Sequence, residues 1–190
     1  MFETTIWTTI HKAGARDPAA LEDFATRYRP AVLRFVRGRG FAESDAEDVC
    51  QDVFVRILTG DVLAKADASR GRFRSLVLAV ATHVIQDRAR KKRDVPLAAE
   101  PVERDPDFDR EWVLHLAERA MQRMGPPYAD VLRAHLAGET QDRQKVWIAR
   151  GKLVALIREE VAFTCLSQDE FEEELAYLSC YLRPEKTMRR

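Results

Sequence analysis

From Pro18 onward, apolar residues recur every three or four positions in segment after segment, and no stretch alternates with a period of two. A period near 3.6 puts one apolar stripe on each helix and obliges the helices to bury those stripes against one another. The chain is therefore predicted to be all-α. The segment from Pro18 to about Arg39 carries Leu21, Phe24, Ala25, Tyr28, Val32, Phe35 and Val36 in this spacing. Pro30 lies inside it and is expected to kink it by removing one backbone donor; Gly38 and Gly40 end it. Ser44 and Glu47 have the spacing of a capping box. Ala46, Val49, Cys50, Val53, Phe54, Ile57 and Leu58 follow as a second stripe that Gly60 closes. Beyond a polar connector, Lys65 to Arg72, a long helix is predicted from about Phe73 to Lys92, apolar nearly all round at first and basic in its last turns.

Residues Asp94 to Asp107, with Pro96, Pro101 and Pro106 and no apolar period, read as a linker. Further helices are predicted at Phe108–Met124, Pro126–Ala137, about Asp142–Phe163 and Asp169–Leu182, the last capped by Ser167 with Glu170 as its box partner. The length of 190 residues accommodates two helical domains joined by this proline-containing linker. The expected division is 1–93, a linker at 94–107, a second domain at 108–163, and an acidic helix and tail at 164–190.

Several function classes are disfavoured. No apolar run approaches the roughly 18–20 residues of a membrane span, and the first twelve residues, MFETTIWTTIHK, lack a signal-peptide apolar core. Cys50, Cys165 and Cys180 are odd in number and have neither CxxC nor metal spacing, which favours a reducing, cytoplasmic setting without a disulfide framework. Cys50 falls inside an apolar stripe and reads as a small buried hydrophobe. There is no GxSxG, phosphate-binding glycine loop, HExxH or zinc signature, and the histidines are scattered. Asp45, Asp48 and Asp52 share a helix face, yet no second ligand cluster accompanies them. The expectation is no catalytic residue, no metal and no cofactor.

The formal charge is zero, 31 bases against 31 acids, but the charges are segregated. From Phe41 to Leu63 the acids Glu43, Asp45, Glu47, Asp48, Asp52 and Asp61 face a single base, Arg56. From Ala64 to Arg93 the bases Lys65, Arg70, Arg72, Arg74, Arg88, Arg90, Lys91, Lys92 and Arg93 face only Asp67 and Asp87. Arg143 to Arg158 is basic without an acid, and Glu159 to Leu175 reverses sign. Basic helices are the electrostatic footprint of phosphate binding; acidic neighbours suit a basic protein partner.

Three segments carry a family likeness. Tyr28-x-Pro30 with Leu33-x-Phe35-Val36, then Asp45-Ala46-Glu47-Asp48-Val49-Cys50-Gln51-Asp52-Val53-Phe54, then Gly71-Arg72-Phe73-Arg74-Ser75, resemble bacterial RNA polymerase sigma factors of the small extracytoplasmic-function (ECF) subgroup. The resemblance implies a non-enzymatic, cytoplasmic, monomeric initiation factor with a region-two bundle and a region-four helix-turn-helix. It implies that Asp48, Gln51 and Asp52 contact the clamp helices of the polymerase largest subunit, with Phe54 packing behind or beside them. It further implies that Arg70, Arg72, Arg74, His83, Gln86, Arg90 and Lys91 meet the promoter −10 element. In the second half, Tyr128–Ala137 resembles a leading helix and the segment from Arg143 a recognition helix, with Arg143, Gln144 and Lys145 at the end that would reach a −35 element. Only Gly138 to Asp142 separates the two, so the usual positioning helix is missing. Val146, Ile148 or Ala149, Leu153, Leu156 and Ile157 read as core, and Trp147 as packing in preference to a base contact. The acidic helix after Ser167 is expected to pack on the second domain and shield its basic helix, or to bind a partner; an anti-sigma factor is a further partner of the family. Two other readings stay open: a sigma-like polymerase adaptor without −35 recognition, and a helix-turn-helix regulator acting without polymerase.

Overall fold

Asp17 and Asp105 each precede a proline, and both start helices. The Asp17 carboxylate accepts from the Ala19 amide, that of Asp105 from the Asp107 amide, each at 3.0 Å. Proline in the following position gives up an amide that a helix start leaves unpaired in any case. In this computed structural model, residues 17–59, 73–93, 104–165 and 167–182 are described. Among them are seven α-helices and no strand: α1 (Pro18–Gly38), α2 (Glu43–Thr59), α3 (Phe73–Arg93), α4 (Pro106–Met124), α5 (Tyr128–Leu136), α6 (Arg143–Phe163) and α7 (Gln168–Leu182). None is long and apolar enough to cross a membrane. Contacts divide the chain into one unit up to Trp112 and another from Val113.

In the first unit, α1, α2 and α3 pack pairwise on one another. The core is an aromatic cluster that their stripes bring together. Phe24 lies 5.2 to 5.6 Å from the rings of Tyr28, Phe54 and Phe73. Trp112 stacks on Tyr28 at 5.0 Å, and Phe108 meets Phe35 edge-on at 5.3 Å. Such pairs add about 0.5–1.5 kcal/mol each beyond area burial. The sequence reading began the second domain at Phe108; the contacts put Phe108 and Trp112 into the first unit's core, with Asp109 buried beside them. The helix α1 continues through Pro30. Gly40, at φ +85°, takes the left-handed conformation that ends α1.

The Ser44–Glu47 box does not form. The helix α2 already begins at Glu43, and the Glu47 carboxylate is bound to the guanidinium groups of Arg29 and Arg37 on α1. Two cations hold a carboxylate more strongly than one backbone amide does.

Cys50 is fully buried, as its place in the stripe suggested, with Sγ 3.9 Å from the Arg29 carbonyl oxygen. Desolvation pushes its thiol up from 9.0 to about 11, against the opposing field of Arg29. Between those values the folded chain holds a proton that the unfolded chain has lost, so stability falls as pH rises through that window. Each unit is worth about 1.4 kcal/mol. Cys50→Ala removes this ionisation. Urea denaturation at about pH 9 and about pH 11 should show wild type losing about 2 kcal/mol more than the variant. Equal losses would show that the thiol ionises normally.

In the second unit, Val113, Leu116 and Ala120 of α4, Ala129 and Leu132 of α5, and Val146, Ala149, Ile157 and Val161 of α6 are buried. Glu160, 3% exposed, is held by Arg119 at 3.2 Å and Arg123 at 2.9 Å. Hydrogen bonds to Glu159 and then Glu160 raise the Arg123 guanidinium further above its ordinary value. Gly138, at φ +85°, ends α5, and the Glu139 amide turns back to the Ala134 carbonyl. The helix α7 packs on α6 through buried Phe171 and Leu178, with Arg158 over the Phe171 ring at 5.0 Å. Its start is capped as expected, the Glu170 amide donating to Ser167 Oγ at 3.1 Å.

Candidate functional site

The outward face of α2 is built by its own period. Val49, Cys50, Val53, Phe54 and Ile57 turn into the core, which leaves Asp48, Gln51 and Asp52 exposed one and two turns apart. Asp48 and Gln51 have no hydrogen-bond partner among the described residues. Phe54 is 8% exposed and packs on Phe24, so it supports this face from behind.

The neighbouring face of α3 carries His83, Gln86, Asp87, Arg88 and Arg90, and two ion pairs cross the seam to α2. Arg56 meets Asp87 at 2.9 Å; Arg88 meets Asp52 at 2.6 Å. Asp87 is a hub: Arg90 reaches its other oxygen at 2.9 Å, and His83 Nε2 lies 3.6 Å from the first. The hydrogen bond from Arg56 chiefly holds its carboxyl below the usual carboxylate range, with His83 and Arg90 adding to it. Sequence reasoning did not single out Arg56, Asp87 or Arg88. A signal was present, because Arg56 is the lone base of the acidic run and Asp87 one of two acids in the basic run.

Of the residues assigned to DNA, His83 is half-exposed and Gln86 half-buried, its Oε1 buried without a partner among the described residues. Arg90 is partly buried. Arg70, Arg72 and the Lys91 side chain lie outside the described residues. Arg74 departs from expectation. It is 3% exposed, and its guanidinium donates to the carboxylate of Asp109, which is wholly buried. A buried arginine must be paired, and this pairing takes Arg74 off the surface.

In the second unit, Arg143, Gln144 and Lys145 are exposed on the first turn of α6, where Asp142 accepts from the Lys145 amide at 2.9 Å. The shielding expected of α7 reaches Arg158 but leaves these three uncovered. No helix lies between Leu136 and Arg143. Val146, Ala149 and Ile157 are buried as expected, and Leu153 and Leu156 are half-buried. Trp147 is a correction: read as packing rather than base contact, it is 76% exposed, because Val146 and Ala149 set the inward face and Trp147 falls outside it. Arg150 bonds His135 at 2.9 Å, and Lys152 sits over the Tyr128 ring at 4.8 Å. Among the described residues no group of His, Cys, Asp and Glu is arranged to hold a metal ion.

Residues 24–95 match the family model of Sigma-70 region 2. No curated protein and no solved structure matches the chain.

Proposed function

We propose, from the premise that residues 24–95 are a sigma-70 region 2, that the chain is a non-enzymatic ECF sigma factor. It binds core RNA polymerase through α2 and promotes opening of the −10 element through α3. The observation that carries this reading is the placing of Asp48, Gln51 and Asp52 on one exposed face inside the matched segment. Exposed polar residues on a rigid helix, of which Asp52 alone already carries an arginine, Arg88, suit the basic clamp helices of the largest subunit. Single-stranded DNA suits a basic helix with polar groups near the seam, for which His83, Gln86, Arg90 and Lys91 are the candidates, with Arg70 and Arg72 ahead of them in sequence. Arg74 has no part in this contact.

A second reading concerns the second unit. The direct step from α5 to α6 and the exposed Trp147 favour a polymerase adaptor without −35 recognition. Under the first reading Arg143, Gln144 and Lys145 contact a −35 element. Pull-down with core polymerase tests the shared premise, and no retention would refute it. Transcription by the holoenzyme on a genomic library, with start sites mapped, separates the two: a factor yields a shared −35 sequence, an adaptor none.

Replacing Arg90 and Lys91 by glutamine should weaken holoenzyme binding to promoter DNA and flatten its salt dependence. Each lost phosphate contact should reduce the slope of log affinity against log salt by about 0.7 for single-stranded DNA. Fluorescence anisotropy over a salt series measures it, and an unchanged slope places these cations elsewhere.

A further inference from the structure

Gly151 lies in the middle of α6, where glycine is the poorest helix former short of proline. It does not take a positive φ, and a Cβ added to it would meet nothing within 4 Å, so neither a turn nor internal packing calls for glycine there. A helical side chain leans back over the preceding turn, so one at position 151 would lie across Trp147, four residues before it. Glycine leaves that ring bare, and Trp147 is 76% exposed. Arg143, Arg150, Val154 and Arg158 share this exposed side of α6, reached from Trp147 in steps of three and four.

Among the described residues no carboxylate neutralises this edge. Arg74, Arg88 and Arg90 of α3 and Arg119 and Arg123 of α4 each sit on an acid. None of the α6 bases does. Arg150 donates to His135 Nε2 at 2.9 Å, Lys152 lies over the Tyr128 ring and Arg158 over the Phe171 ring. The side chains of Arg143 and Lys145 have no partner among the described residues. The acids at the two ends of α6 are engaged, Asp142 with the Lys145 amide and both Glu159 and Glu160 with Arg123.

We propose that this side of α6 is a stacking platform for single-stranded nucleic acid. One unstacked base lies on the Trp147 ring, in the notch that Gly151 leaves open, and the phosphates flanking it meet Arg143, Arg150 and Arg158. An exposed ring beside unneutralised cations fits a planar base carried on an anionic backbone. A duplex offers no such face, because its bases are stacked on one another and its major groove presents only their edges. An acidic protein segment would answer the cations but need bring no flat ring to the notch. The proposal goes beyond the polymerase reading and does not rest on it.

The test is fluorescence anisotropy of short labelled oligo-dT and oligo-rU strands, and of a duplex, with the full chain. Arg90 and Lys91 are replaced by glutamine throughout, which takes away the strand contact proposed for α3. Trp147→Ala should weaken single-strand binding about ten- to a hundredfold, the range a base stacked on an aromatic ring commands. Trp147→Phe should weaken it much less, and duplex binding should be unchanged by either. Gly151→Leu should raise the thermal unfolding midpoint, since leucine is the better helix former, and still weaken single-strand binding about tenfold by covering the ring. Arg150→Gln should reduce the slope of log affinity against log salt by about 0.7. The dT and rU arms tell DNA from RNA as the source of the strand. Single-strand affinity unchanged by Trp147→Ala, or a salt slope unchanged by Arg150→Gln, overturns the proposal. So does duplex binding that falls as far as single-strand binding in Trp147→Ala, which would give the face to a duplex. Binding of neither strand also overturns it and leaves the face to an acidic protein segment.

Discussion

Asp48→Arg should reduce the affinity for core polymerase by at least about a hundredfold and leave the unfolding midpoint unchanged. Asp48 is exposed and has no partner among the described residues, so its replacement removes nothing from the fold. At a docking face the same change replaces an attraction with a repulsion. Like charges set opposite each other at an interface cost several kcal/mol, and each 1.4 kcal/mol is tenfold in affinity. Arg88 adds to the effect, since a new arginine one turn from Asp52 would compete for that carboxylate too. Full retention of binding, measured by pull-down and anisotropy, would remove α2 from the interface.

Asp109→Ala should destabilise the first unit by about 3–5 kcal/mol, because it removes a wholly buried carboxylate to which the buried Arg74 guanidinium donates. That is a large share of the stability of any small domain. Hydrogen exchange of the α1–α3 amides reads it directly, with protection falling together across the three helices. Replacing both partners by apolar residues, Arg74→Met with Asp109→Leu, should restore most of the loss, since desolvating an ion pair costs about what its attraction returns. A double variant as unstable as Asp109→Ala would mean that Arg74 serves through its shape rather than its charge. Loss of DNA binding in any Arg74 variant is accordingly expected to follow from unfolding.

The helical architecture was legible because each stripe is long and strictly spaced, and because the apolar residues of α1, α2 and α3 must find one another to leave water. The polar face of α2 was legible by subtraction: once Val49, Cys50, Val53 and Phe54 point inward, Asp48, Gln51 and Asp52 cannot. What escaped was pairing over distance. Arg56 and Asp87 stood out as exceptions in two runs of opposite sign, yet nothing local says that the exceptions meet. Arg74 counted as one more base until Asp109, 35 residues away, claimed it. The Ser44–Glu47 spacing satisfied a local rule that two arginines of α1 override. The start of α4 was misread for a different reason. Pro106 was counted with the linker prolines, although Asp105-Pro106 repeats the Asp17-Pro18 start of α1. Trp147 was read as packing, where the phase of Val146 and Ala149 turns it outward.

The stacking of Trp112 on Tyr28 has a consequence for how such a chain can be cut and recombined. The matched family segment ends at residue 95, but the side chains that close its core continue to Trp112. The stretch that carries the family pattern and the stretch that folds are therefore not the same stretch. A chimaera joined in the linker would carry every family motif and still arrive without Phe108, Asp109 and Trp112. The modular junction of this chain lies inside α4, directly after that tryptophan.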